Sequence, residues 1–123
     1  MLLDSNILIY GANGENSNLD EILDRTDLAA ASVTRIETVG YHRLSEIERT
    51  WLETTFARMK ILHLDDAVAA RAIALRQQRK MGLADAIIAA TALEHNLPLV
   101  TRNEEDFKHV TGLRVINPFA PAF

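Results

Sequence analysis

The chain has 123 residues, 48% of them hydrophobic and 24% charged, with 13 lysines and arginines against 17 acids and a formal net charge of −4. A chain of this size builds a real core as one domain, residues 1–123, without staples. The absence of cysteine excludes a disulfide scaffold, a cysteine–zinc site and a thiol nucleophile, and the acidic balance argues against a broad basic face for gripping nucleic acid.

The apolar start Met1-Leu2-Leu3 predicts a short strand with Asp4, Ser5 and Asn6 at its end, and meets an acid too soon for a signal peptide. Ser17-Asn18-Leu19-Asp20 has the spacing of a capping box with Asp in place of Glu and predicts a helix to about Arg25. Residues 28–32 read as a second buried strand, and Thr34 to Glu37 as the capping box of another helix. Ser45 to Glu48 repeats that box and opens a helix to about Met59. Residues 61–64 form a third strand, followed by a helix from Asp65 to Lys80 on which Val68, Ala72 and Leu75 share a face. The stretch from Leu83 to Asn96 is apolar nearly all round, so its helix is expected to be buried and to end at Asn96 before Pro98. Residues 97–101 are the fourth strand, Glu104 to Phe107 a short acidic helix, and residues 113–116 the last strand. Strands alternating with helices predict an α/β fold, a mostly parallel sheet of about five short strands covered on both faces. No apolar run is long enough for a membrane span, so the reading is of a soluble, cytoplasmic protein.

In such a sheet ligands bind beyond the carboxyl ends of the strands, and the polar residues collect there. Asp4 follows the first strand, Glu37 lies in the helix after the second, and Asn103 and Asp106 follow the fourth. Asp85 opens the most apolar helix of the chain, where a buried, ionised and unpaired carboxylate costs several kcal/mol unless it is capped, protonated or bound to a cation. Each acid also has an ordinary explanation. Asp4-Ser5-Asn6 fits a self-capping turn, Glu37 a capping box on Thr34, Asp85 the positive end of its helix, and Asp106 a solvated acidic run. None of those explanations predicts that all of them gather at one end of one sheet. Three or four carboxylates in one cleft suit Mg²⁺ or Mn²⁺, hard ions that take oxygen ligands and act on phosphodiesters.

Other chemistries lack their signatures. The five glycines stand in no phosphate-loop or dinucleotide spacing, the four histidines in no paired metal spacing, and no serine in GxSxG.

The segments LLDSNILIY, VTRIETVG and MGLADAIIAATALEHNLPLVTRNEEDF, in that order over nearly the whole chain, resemble the PIN-domain family, and within it the VapC-type toxins of toxin–antitoxin pairs. The resemblance implies a three-layer α/β/α fold and a metal-dependent endoribonuclease, dimeric and neutralised by a small VapB-like antitoxin that covers its site. The family's acids match Asp4, Glu37 and Asp85, with Asp106 as the fourth and Asn103 assisting. Asn6 and Thr34 match small polar positions that orient acids or substrate, and Ser5 stands where threonine is commoner. RNA is the implied substrate, with Arg35, Arg71, Arg76, Arg79, Lys80 or Arg102 positioning phosphates. Two alternatives stay open: an inactive PIN-like binding module, and a phosphotransfer domain using Asp4 as nucleophile. Leu19, Ile22 and Leu23, with Trp51, Leu52 and Phe56, either pack on the sheet or form a dimer or antitoxin groove, and the apolar C-terminus docks on a neighbour.

Overall fold

A computed structural model describes residues 1–14 and 17–120. Five strands, β1 (Leu2–Leu3), β2 (Ala29–Ala31), β3 (Lys60–Leu62), β4 (Leu99–Val100) and β5 (Val115–Ile116), form one sheet in the order β3-β2-β1-β4-β5. Every pairing is parallel, with Leu2 opposite both Ala29 and Leu99. Among the described residues six α-helices accompany it: α1 (Ser5–Asn13), α2 (Asp20–Leu23), α3 (Ser32–Val39), α4 (Glu46–Ala57), α5 (Asp66–Gln78) and α6 (Leu83–Glu94). Short 3₁₀ turns occupy Ser17–Leu19 and Glu104–Asp106.

Alternation along the strands sorts the core into two halves, as a pleat requires. Leu2, Ala29, Ala31 and Leu99 join the inner faces of α5 and α6, whereas Leu3, Ala30 and Val100 join Ile7 and Leu8 of α1 and Leu52 and Phe56 of α4. Helix α3 touches α1, α4 and α6 and so meets both layers. The expected α/β/α architecture is therefore present, with a sheet that is wholly parallel.

Helix α6 is buried without a break from Ala86 to Ala92. Its alanines allow it to lie close on the sheet, and Thr91 satisfies its hydroxyl by donating to the Ile87 carbonyl at 2.7 Å. Asn96 takes the left-handed conformation just beyond this helix, φ 53°, one that asparagine tolerates better than most residues. The box at Ser45 forms as expected, Ser45 Oγ accepting from Glu48 N and Glu48 returning the contact to Ser45 N, both at 3.1 Å.

Several local expectations are corrected. Ser5 and Asn6, expected as the turn at the end of the first strand, instead open a helix over residues 5–13: Asp4 caps it by accepting from Ser5 N at 2.7 Å, and Gly14 ends it at φ 66°. Helix α3 starts at Ser32, directly out of β2, so Thr34 and Glu37 lie within the helix and form no capping box. The first-half helix after Leu19 stops at Leu23 instead of Arg25, and the side chain of Ser17 lies outside the described part. The third strand is set one residue earlier and the fourth and fifth are shorter than their apolar runs. Leu19, Leu52 and Phe56 are buried in the core, with Ile22, Leu23 and Trp51 packed on them, so these side chains serve helix packing. Residues 121–123 of the apolar C-terminus lie outside the described residues. Among the described residues no helix is long and apolar enough to cross a membrane.

Candidate active site at the carboxyl ends of the strands

Asp4 leaves the central strand β1 at its carboxyl end and is 5% exposed. Its position follows from the sheet: Leu3 pairs with Val100, so the next residue on each strand, Asp4 and Thr101, stand side by side. Thr101 Oγ1 donates to Asp4 Oδ2 at 2.7 Å, Asn6 Nδ2 donates to the same oxygen at 3.1 Å, and Ser5 N donates to Oδ1. Asn103 N in turn donates to Thr101 Oγ1 at 3.0 Å, which turns that hydroxyl's proton toward the carboxylate. Burial raises the Asp4 pKa, the bonds from Thr101 and Ser5 oppose this, and the charges of Glu37 and Asp106 add to the rise.

Asp85 enters the same neighbourhood from the opposite direction. It is the third residue of α6, the helix that runs back down to β4, so its first turn sits at the carboxyl edge of the sheet. Among the described residues Asp85 makes no side-chain hydrogen bond and no ion pair. Burial against the apolar helix, followed by the charges of Asp4, Asp106 and Glu37, pushes its pKa up to about 6. That list of causes places all four carboxylates in one electrostatic field.

Glu37 and Asp106 complete the group from exposed positions. Ser5 Oγ donates to Glu37 Oε1 at 2.7 Å, tying the first turn of α1 to α3. Asp106 ends the 3₁₀ turn after β4. Asn103 is exposed and contributes its backbone N–H, while Asn6 bridges Asp4 and Thr101. Thr34, one turn before Glu37 on the same face of α3, is fully buried and its hydroxyl has no partner among the described residues.

The donor set fits a small hard cation. All four acids offer oxygen, and two carry raised pKa values that an added positive charge would relieve. Among the described residues no three acidic or histidine side chains converge as a closed metal cage does. Mg²⁺ does not need one, because it takes one or two carboxylates and fills its shell with water and phosphate oxygens.

One contributor escaped the sequence. Thr101 was legible only as the end of a strand, yet its hydroxyl is the shortest side-chain contact on Asp4. Arg102 was one of six candidate cations, and two of the others are engaged in ordinary structure: Arg71 pairs with Glu94 at 3.0 Å and Arg76 donates to the Met81 carbonyl. An apolar hollow of about 510 Å³ against α5, lined by Ala72, Ile73, Arg76, Met81, Leu83 and Ile87 among others, includes none of the acids.

Comparison with known proteins gives consistent matches over this whole arrangement. The family description "PIN domain" matches residues 1–113. A protein of Shigella flexneri named tRNA(fMet)-specific endonuclease VapC is 32% identical over 123 residues, covering 92% of this chain and 93% of its own. A chain in a toxin–antitoxin complex from Klebsiella pneumoniae is 31% identical and superposes with a TM-score of 0.79 over 98% of both chains. FitAcB from Neisseria gonorrhoeae contains a chain 25% identical that superposes with a TM-score of 0.80, covering 98% of this chain and 99% of that one.

Proposed function

The chain belongs to the PIN domain family, and from that premise we propose that it is a divalent-metal-dependent endoribonuclease, the toxin of a VapBC-type toxin–antitoxin pair acting in the cytoplasm. The observation that carries the reading is the state of Asp85: a half-buried carboxyl without a hydrogen-bond partner, pushed up to about 6 by burial and three other acids. A protein that gathers negative charge at such a cost in the absence of a cation is built to receive one.

In this reading Asp4, Glu37, Asp85 and Asp106 hold Mg²⁺ or Mn²⁺, with Asn6, Thr34 and Asn103 assisting. The ion, when bound, supplies positive charge toward the phosphodiester oxygens and acidifies water for in-line attack. The chain's own groups perform the rest. Thr101, Asn6 and Ser5 N fix both oxygens of Asp4, so that this carboxylate cannot swing when the charge around it changes. Ser5 holds Glu37 from the other side. Asp85, without a hydrogen-bond partner among the described residues and with its pKa raised by burial and by the other acids, would offer its oxygens to the cation. The same enclosure of Asp4 disfavours the phosphotransfer alternative, because a nucleophile must present a free oxygen to phosphorus.

The domain spans residues 1–123, pairs as a homodimer, and is silenced by a small VapB-like antitoxin laid over the acids. The name of the Shigella flexneri relative makes tRNA the first substrate to assay. The test is RNA cleavage by the purified chain with Mg²⁺ or Mn²⁺, against chelator and against Asp4→Asn and Asp85→Asn. Cleavage is expected only for the parent with metal. Cutting in chelator, or undiminished cutting by both variants, would sink the proposal.

A further inference from the structure

The strand end that anchors Asp4 also carries an arginine stacked on two aromatic rings. The Arg102 guanidinium carbon lies 4.6 Å from the centre of the Phe119 ring and 5.0 Å from that of Tyr10, and the two rings are 5.3 Å apart. Tyr10 comes from α1 and Phe119 from the segment after β5, so two distant parts of the chain close on one side chain. Its backbone is held as well. Arg102 N donates to Asn6 Oδ1 at 3.4 Å, Asn117 Nδ2 donates to the Arg102 carbonyl at 3.4 Å, and Phe119 N donates to Asn117 Oδ1 at 2.9 Å.

With all that support, Arg102 forms no ion pair among the described residues, although Asp4 is bonded to the residue before it. Arg25, Arg49, Arg71 and Lys108 all pair with acids. The Arg102 side chain is exposed. An arginine that stacks by its face keeps its N–H edge for a planar, two-oxygen acceptor, and a stacked fork loses less freedom on binding than a loose one. Asn6 links the two sites directly, since its amide nitrogen touches Asp4 and its oxygen receives Arg102 N.

We propose that Arg102, held by Tyr10 and Phe119, is the residue that seats a backbone phosphate of the RNA strand beside the four carboxylates. The assignment rests on the nuclease reading for its ligand class, and its test separates the two. It also explains how a chain of net charge −4 recruits a polyanion without a basic face: one fixed guanidinium sets the strand's register next to the cation-loaded acids.

The experiment measures binding of a fluorescent single-stranded RNA to the full chain in Ca²⁺ at several salt concentrations, with gels confirming that the RNA is intact. Cleavage is measured separately in Mn²⁺. Arg102→Ala is expected to weaken binding by about 10-fold or more, the value of one charge-assisted contact, and to reduce the salt slope by about 1. Arg102→Lys should keep the slope and lose about 3-fold in affinity, since it keeps the charge and loses the fork. Phe119→Leu should weaken binding about 2- to 5-fold on the parent and not at all on Arg102→Ala, because the ring acts through the guanidinium. Melting curves confirm that the variants are folded. Equal affinity and slope for parent and Arg102→Ala overturn the proposal, as does a parent that binds no RNA. An Arg102-dependent affinity in a chain that cuts nothing in Mn²⁺ upholds this proposal and refutes the nuclease reading.

Discussion

The candidate site has a floor and a rim, and they are built by different physics. The floor, Asp4 and Asp85, is set by the sheet and its most buried helix, and both acids pay for their burial with raised pKa values. The rim, Glu37 and Asp106, is exposed and rests on a single serine hydroxyl and a 3₁₀ turn. Rigid placement comes from the floor, where hydrogen bonds fix both oxygens of Asp4 and the buried helix α6 places Asp85. Adjustment comes from the rim, where a carboxylate can move as substrate arrives.

Substitutions can break this contrast, and Asp4 is where the largest effect is expected. Asp4→Ala should reduce metal-dependent cleavage by more than the roughly 10- to 100-fold typical of a supporting residue, and cost about 1 kcal/mol of stability through the lost helix cap. Single-turnover rates and denaturant midpoints check both. Thr101→Val comes next. It removes the hydroxyl from Asp4 and leaves Asn103 N without its acceptor, so cleavage should fall about 10- to 100-fold with a stability loss of about 1–3 kcal/mol. If Thr101→Val is as active as the parent, the floor is not held as described.

A third test uses pH. In chelator, Asp85 has a folded pKa of about 6, raised from the ordinary aspartate value of 3.8. The folded state therefore binds its proton more tightly, and the stability Asp85 contributes is present below about pH 4 and lost as pH rises through 6. Asp85→Asn should melt higher than the parent at pH 7.5, with the difference vanishing near pH 4. Saturating Mn²⁺ should raise the parent's melting temperature and leave the variant's nearly unchanged. The smallest effect belongs to the rim: Ser5→Ala frees Glu37, and stability should shift by no more than about 0.5 kcal/mol with a several-fold loss in cleavage rate. A rim variant that destabilises as much as Thr101→Val would erase the distinction.

The sequence disclosed the floor and rim unequally. Strand alternation, the box at Ser45 and the apolar stretch of α6 were readable because each is a local signal that the fold merely accepts. Helix α1 was not readable: Ile7, Leu8, Ile9 and Tyr10 favour strand by type, and only the Asp4 cap and the packing of Ile7 and Leu8 beneath α4 make them helical. The Thr34 box failed for a related reason. Helix α3 emerges from β2 without any side-chain cap, so its start carries no mark in the sequence. Thr101 needed the pairing of Leu3 with Val100 to gain meaning, and no local pattern encodes a register between strands so far apart.

That separation has a consequence for how the protein is made. Asp4 and the hydroxyl that fixes it are 97 positions apart. A chain translated only as far as α6 carries Asp4, Glu37 and Asp85 without Thr101 or the neighbouring strand, and Phe119, which steadies Arg102, arrives later still. Because Asp4 is translated long before Thr101, the socket that holds it closes only once β4 and the residue after it have been made.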